Sequence, residues 1–262
     1  MDTLLELQNV THVYVGDQGA SMAVENISLS IGRGEFVSLV GPSGCGKTTV
    51  LSLLAGLLFP TKGAVLAGGE PVVRPSSKVG YMLQQDFLFP WRTILDNAAI
   101  GLTLSGRRNA ASLGAVRELL AELGLAGTEA KMPYELSGGM RQRVALARTL
   151  ATEPDVLLLD EPFSALDMHI KLQLEDLVHA TLAARGKTAV LVTHDLAEAA
   201  AMSDRIVVLD PNPGRIRAIF VIPDAVRSLP PTEARKLPEF QRVFDALWEA
   251  LEQGEQAGGE GS

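Results

Sequence analysis

The run Gly41-Pro42-Ser43-Gly44-Cys45-Gly46-Lys47-Thr48 constrains this 262-residue chain more than any other feature. It follows the apolar stretch Phe36–Val40 and precedes Thr48–Leu58, which has helical composition and no proline. A buried strand, a glycine-rich loop and a helix in that order make a phosphate-binding loop. The glycines let successive backbone N–H groups turn toward phosphate oxygens, and the helix N-terminus adds its partial positive charge. Lys47 supplies a point charge for the β- and γ-phosphates, and Thr48 a hydroxyl for Mg²⁺. By itself the loop says that a nucleoside triphosphate is handled and leaves the chemistry open.

The rest of the chain supplies a sheet for that loop. Ile27, Leu29 and Ile31 alternate with polar residues before the turn Gly32-Arg33-Gly34, which predicts an antiparallel strand entering a buried one. Lys78–Leu83, Val156–Asp160, Ala189–Thr193 and Arg205–Leu209 read as further buried strands separated by helical stretches. That alternation implies an α/β fold with a mainly parallel sheet and phosphate ligands at strand C-termini. Between about Asp86 and Glu153 helices dominate; Leu113, Val116, Leu119, Leu120 and Leu123 recur at helical spacing, with Ser112 as N-cap and Gly124 as stop. The expected architecture is an α/β core over residues 1–225 with an antiparallel β subdomain and a helical subdomain inserted at about 86–153. Residues 226–253 form an amphipathic helical tail in which Phe240, Val243, Phe244, Leu247, Trp248 and Leu251 follow Pro238 as an apolar stripe that packs on the chain's own domain. Residues 254–262, rich in glycine and glutamate, are expected to be disordered.

Bulk properties remove several function classes. The length supports one substantial core with an insertion. No apolar run approaches the ~20 residues that span a bilayer. The first residues lack a basic flank and apolar core, so a cytosolic chain is expected. A net charge of −8 argues against generic attraction to nucleic acid. The single cysteine forms no intrachain disulfide; beside a helix N-terminus Cys45 is expected to be a reactive thiolate that bound nucleotide protects, with a buried, inert cysteine as the alternative.

Two further runs narrow the chemistry: Leu136-Ser137-Gly138-Gly139-Met140-Arg141-Gln142-Arg143, and downstream of it Val156-Leu157-Leu158-Leu159-Asp160-Glu161. With them the chain resembles, over roughly residues 1 to 220, the nucleotide-binding subunit of ATP-binding cassette (ABC) transporters, a P-loop NTPase with a RecA-like core. Its signature is the LSGG run and its Walker B strand VLLLDE. From the residues alone, an acid ending a strand buried on both faces must meet a cavity or a cation. The resemblance implies more. Asp160 becomes a Mg²⁺ carboxylate, with Thr48 and Gln84 also toward the metal, and Glu161 the catalytic glutamate that orients the attacking water. His194 takes the place of the family's switch histidine; taken alone, a histidine there is more often a helix-start residue. Gln84, or Gln85 one position on, is the Q-loop glutamine that reaches metal and water. The continuation Pro162-Phe163-Ser164-Ala165-Leu166-Asp167 matches the D-loop. ATP would lie on Gly41, Pro42, Ser43, Gly44, Cys45, Gly46, Lys47, Thr48 and Thr49, with Tyr14 stacked on adenine; a purely structural strand tyrosine is the competing reading. Ser137, Gly138 and Gly139, a capped helix start, would close in trans over ATP held by a second copy arranged head to tail. Met140 stands where the family commonly has glutamine, a side chain that backbone contacts do not need.

Phe89-Pro90-Trp91-Arg92-Thr93-Ile94-Leu95-Asp96-Asn97 and Pro211-Asn212-Pro213-Gly214-Arg215-Ile216 resemble the branch importing nitrate, sulfonates, taurine and thiamine precursors. That resemblance implies ATP and Mg²⁺ as cofactors, an integral-membrane permease, a separate substrate-binding protein as indirect partner, and a peripheral place on the cytoplasmic face of a bacterial inner membrane. A GTPase would need an Asn-Lys-x-Asp motif, which the sequence lacks. A soluble cassette ATPase serving cofactor assembly, with no permease, would keep the same motifs.

Overall fold

The computed structural model describes residues 2–16 and 19–259. In chain order the elements are β1 (Thr3–Gly16), β2 (Gly19–Gly32), β3 (Phe36–Val40), α1 (Lys47–Leu54), β4 (Lys62–Ala67), β5 (Glu70–Pro71) and β6 (Val79–Met82). Then come α2 (Ile94–Ala98), α3 (Ile100–Leu104), α4 (Ala110–Glu122), α5 (Gly138–Leu150), β7 (Val156–Asp160), α6 (Met168–Ala184) and β8 (Thr188–Val192). The chain finishes with α7 (Leu196–Met202), β9 (Arg205–Asp210), β10 (Arg215–Val221), α8 (Asp224–Arg227), α9 (Pro231–Ala234) and α10 (Pro238–Gly259).

Two sheets form. The larger has the order β10-β9-β3-β8-β7-β6, parallel throughout except for β10 at its edge. The smaller is antiparallel, ordered β2-β1-β4-β5. Helix α1 lies in the core between them: Val50, Leu51, Leu53 and Leu54 share one buried cluster with Leu5, Leu7 and Val10 of β1 and with Leu158, Val190 and Val192 of the large sheet. β3 and β8 are buried at every position, which is why they read as unbroken apolar runs rather than alternations. Helices α2–α5 form the inserted unit; its core, with Val116, Leu119, Leu120 and Leu123 of α4 and its C-cap and Val144 to Ala147 of α5, is continuous with Leu157 and Leu159 of β7.

The order of strands puts the ends of β3, β7 and β8 side by side, so the loops that follow these neighbouring strands meet.

Three local expectations need correction. Helix α1 ends at Leu54 and not at Leu58, because Gly56 adopts φ +69° and a side chain there would lie 2.7 Å from the Arg74 carbonyl oxygen. The cap of α4 is Asn109, whose side chain accepts from Ser112 N; Ser112 returns a bond to the Asn109 N–H as the other half of a capping box. Residues 254–259, expected to be disordered, lie in α10, where no proline interrupts propagation from the packed stripe and each added residue gains a hydrogen bond. Residues 260–262 lie outside the described residues. The stripe packs on its own domain as expected: Phe240 and Leu247 are buried against Leu196, Ala199 and Ile206, with Val243, Phe244 and Leu251 beside them, while Trp248 stays half exposed.

Candidate nucleotide-binding and hydrolysis site

The loop after β3 is shaped by backbone crowding. Gly46 caps α1 with φ +89°, and a Cβ there would lie 2.5 Å from Val24; at Gly41 one would lie 2.6 Å from the Leu209 carbonyl oxygen. Lys47 is buried, and its ammonium donates to the carbonyls of Gly41 (2.8 Å) and Pro42 (2.9 Å). Thr48 faces Asp160, hydroxyl to carboxylate at 3.5 Å, while Tyr81 donates to the other Asp160 oxygen at 3.2 Å. Burial pushes the Asp160 carboxyl above its usual range, against the opposing pull of the Tyr81 bond.

Among the described residues no three His, Cys, Asp or Glu side chains converge as a metal cage. One hydroxyl and one carboxylate oxygen do face each other, and both are hard donors. That set suits Mg²⁺, which keeps its waters and takes only one or two protein oxygens beside nucleotide phosphates. A cation there would also offset the cost of a buried carboxylate.

Glu161 departs from strand geometry with φ +45°, a left-handed conformation that costs a non-glycine residue roughly 1–2 kcal/mol. Its N–H donates to the Val192 carbonyl at 2.9 Å and its carbonyl accepts from the Ser164 hydroxyl at 3.0 Å, which hold the turn. The turn sends the carboxylate sideways to His194, whose Nδ1 is 3.2 Å from Oε2. Gln84 Nε2 reaches the same oxygen at 3.4 Å and Ser164 Oγ at 3.1 Å. Glu161, His194 and Gln84, far apart in sequence, are thus brought together, and the glutamine that reaches the acid is Gln84 rather than Gln85.

A cavity of about 510 Å³ is lined by Tyr14, by Ser43, Gly44, Gly46, Lys47, Thr48 and Thr49 of the loop, and by Glu161 and His194; Gln84 and Asp160 are not part of its wall. Tyr14 is 45% exposed at its rim, with its hydroxyl 3.2 Å from Thr49 Oγ1. Sequence reasoning gave no role to residues that build this wall or brace it from behind. His12, two positions before Tyr14, meets its ring edge-on at 4.7 Å and is anchored to the Phe59 carbonyl at 2.9 Å. Ser21, Met22 and Asn212 also line the cavity. The two-residue spacing of His12 and Tyr14 was the available signal; for Asn212 there was only its Pro-Asn-Pro-Gly setting.

Cys45 is a correction. It is wholly buried, and burial pushes its thiol up despite Lys47 at 3.6 Å, so it is no exposed thiolate.

Ser137, Gly138 and Gly139 do not border the cavity. Ser137 caps α5, accepting from Met140 N at 3.3 Å, and Gly139 packs so tightly on α6 that a Cβ would lie 2.4 Å from Ile170. The same helix grips the chain after β6. Gln142 donates to the Gln84 carbonyl at 3.0 Å, Arg141 to the Asp86 carboxylate at 2.9 Å, and Arg148 to the Asp86 and Phe87 carbonyls.

A parallel sheet carrying a phosphate loop on its central strand, with an acid at the end of a nearby strand, defines a P-loop nucleoside triphosphatase. Known proteins narrow the class. A family model described as ABC transporter matches residues 24–164. An uncharacterized ABC transporter ATP-binding protein, YtlC of Bacillus subtilis, is 49% identical over 249 residues, 95% of this chain and 96% of its own. The taurine import ATP-binding protein TauB of Burkholderia pseudomallei is 41% identical over 247 residues (93% and 95%), and TauB of Roseobacter denitrificans 38% over 254 (95% and 92%). The dimeric post-hydrolysis structure of the ATP-binding cassette MJ0796, bound to ADP and Pi, superposes with a TM-score of 0.74 at 32% identity, covering 84% of this chain and 99% of that one. The chain belongs to the ABC transporter family. It is an ATPase of that family, with ATP and Mg²⁺ as its cofactors.

Proposed function

We propose that this chain is the ATP-hydrolysing subunit of an importer for a small solute of the sulfonate, taurine, nitrate or thiamine-precursor type, working as a head-to-tail homodimer beneath a separate permease. The observation that carries the reading is the double engagement of residue 84. Its side chain bonds to Glu161 while its carbonyl is held by the signature helix, and its loop continues into exposed Phe87 and Trp91. A change at the hydrolytic carboxylate therefore has a short mechanical route to an apolar surface suited to a membrane partner. Likeness to two taurine import ATP-binding proteins, both TauB, supports import. No helix among the described residues is long and apolar enough to cross a membrane, which fits a peripheral subunit on the cytoplasmic face.

The geometry and the family resemblance together support the following roles. Lys47 exchanges its carbonyl partners for β- and γ-phosphate oxygens, and the loop N–H groups bind the phosphate chain. Thr48 and Asp160 would hold Mg²⁺, which would supply positive charge to offset the charge developing on the phosphates. Glu161 orients and deprotonates the attacking water, Gln84 holds that carboxylate from one side, and His194 holds it from the other while facing the γ-phosphate. Tyr14 carries the adenine. Ser137, Gly138 and Gly139, which stand apart from their own chain's cavity, serve the ATP of the second copy.

The test is reconstitution with the cognate permease in vesicles, followed by ATP-dependent uptake of taurine, other sulfonates, nitrate and thiamine precursors. Uptake of one class with coupled hydrolysis is expected. A chain that never co-purifies with membranes and hydrolyses ATP without transport would favour the assembly-factor reading.

A further inference from the structure

Behind the cavity, a buried group of charges joins three helices and has no part in the roles above. Lys171, in the first turn of α6, is almost buried, and its ammonium lies 2.7 Å from Asp195 and 2.7 Å from Glu198. Asp195 directly follows His194. Its other oxygen caps α7, accepting from Ala197 N at 2.8 Å and Glu198 N at 3.1 Å. Helix α6 is the one fed by the Glu161 turn: Asp167, six residues past Glu161, caps it. On the next turn of α6 the fully buried Glu175 pairs with Arg235 at 2.6 Å, and Asp176 accepts from Thr232, so the segment around α9 is fastened to the same helix.

We propose that Lys171 is the positioning residue for His194, tying the start of α7 to the helix that leaves Glu161 so that the 3.2 Å contact between His194 and Glu161 is held through hydrolysis. The inference rests on the reading of His194 given above. Few geometries satisfy it. One ammonium binds two carboxylates of one helix start, each carboxylate is otherwise committed to or buried in that helix, and a flexible surface lysine would not be shielded to this degree. Burial works against the Lys171 charge, but Glu198 and Asp195 together outweigh it and raise its pKa; burial likewise works against the Asp195 charge, but the Lys171 bond and charge together with the Glu198 and Ala197 N–H bonds outweigh it and lower its pKa. Because Asp195 is covalently next to His194, a small rotation of the helix start moves the imidazole directly. Misplacement of about 1 Å costs a catalytic contact on the order of 100-fold.

The decisive experiment is a kinetic cycle of Lys171→Met and His194→Ala in the full chain, with nucleotide binding and folding followed in parallel. Lys171→Met should lower kcat roughly 10- to 100-fold with the ATP dissociation constant within about twofold, and Lys171→Arg should recover most of the loss. In the His194→Ala background the same substitution should cost nothing more, because the group it positions is gone. In protein labelled at histidine Cε1, the His194 signal should shift in Lys171→Met while that of His12, on the other sheet, stays. Unchanged kcat in Lys171→Met, an equal loss in both backgrounds, or an unmoved His194 signal each overturns the proposal. Full activity in His194→Ala instead removes the role of His194 itself, and the labelling then still decides whether Lys171 sets its position. If Lys171→Met does not fold, Asp195→Asn, which keeps a capping oxygen and loses the ion pair, enters the same cycle with the same outcomes.

Discussion

His194 Nδ1 stands 3.2 Å from Glu161 Oε2, although 33 positions separate the two in sequence. They follow the neighbouring parallel strands β8 and β7, so the sheet register itself sets their approach: Asp160 pairs with Val192, and one residue further the Glu161 N–H is bonded to the Val192 carbonyl. The acid that would activate water is thus held by the rigid centre of the fold rather than by a flexible loop.

If Glu161 acts on water and not on nucleotide, Glu161→Gln retains ATP affinity and loses turnover by roughly 10²- to 10⁴-fold, the usual scale for a general base. ATP should then trap a dimer visible by size-exclusion chromatography. Wild-type turnover in this variant would sink the assignment.

Tyr14 separates stacking from hydrogen bonding. Stacking on a base contributes ~1–3 kcal/mol, so Tyr14→Ala should weaken ATP binding roughly 5- to 150-fold. Tyr14→Phe, which loses only the bond to Thr49, should stay close to wild type in calorimetric titration. Equal affinities for the alanine variant and wild type would return Tyr14 to a structural strand role.

Cys45 should resist alkylation in the native protein. Its burial and raised thiol pKa favour the unreactive protonated form, so iodoacetamide should modify it far more slowly in native than in urea-unfolded protein. Rapid native labelling would contradict the packing of Cys45 against the phosphate loop.

Burial pushes the Glu198 carboxyl up from 4.5 to about 7, with Lys171 opposing the shift. A carboxyl raised on folding binds a proton more tightly in the native state. Its contribution to stability is present below about pH 4.5 and is lost as pH rises to about 7. Urea denaturation should show the stability of wild type relative to Glu198→Gln falling across that window, by on the order of 3 kcal/mol, and level above it. A pH-independent difference would remove Glu198 as the titrating group.

Sharing of sites between copies predicts complementation. Lys47→Ala and Ser137→Arg chains should each be inactive as homodimers. In a tagged heterodimer both defects fall in one site if sites form between chains, and the other site is whole. ATP hydrolysis or nucleotide-dependent trapping above both homodimer controls is the expected result. Neither signal rising would exclude the head-to-tail arrangement.

What the sequence determined by itself were features carried by neighbouring residues. Val156–Asp160 is a strand ending in an acid, Ser137 is a helix cap, and the phosphate loop stands between β3 and α1; each follows from residue type and short-range spacing. Tertiary structure decided what depends on distant surroundings. Gln84 meets Glu161 across 77 positions, and Gly214 presses on the phosphate loop so closely that a Cβ would lie 2.2 Å from the Cys45 carbonyl oxygen. Cys45 is inert rather than reactive because packing removes it from water, and a helix N-terminus alone does not reveal that desolvation. The Lys171 charges show the same division: helical spacing offers Asp167 and Glu175, four positions to either side, whereas the carboxylates its ammonium meets at 2.7 Å are Asp195 and Glu198, brought by the approach of α7. Local propensity acts over a few residues, whereas distances and dielectric surroundings between remote residues are set by the packing of the whole sheet and its helices.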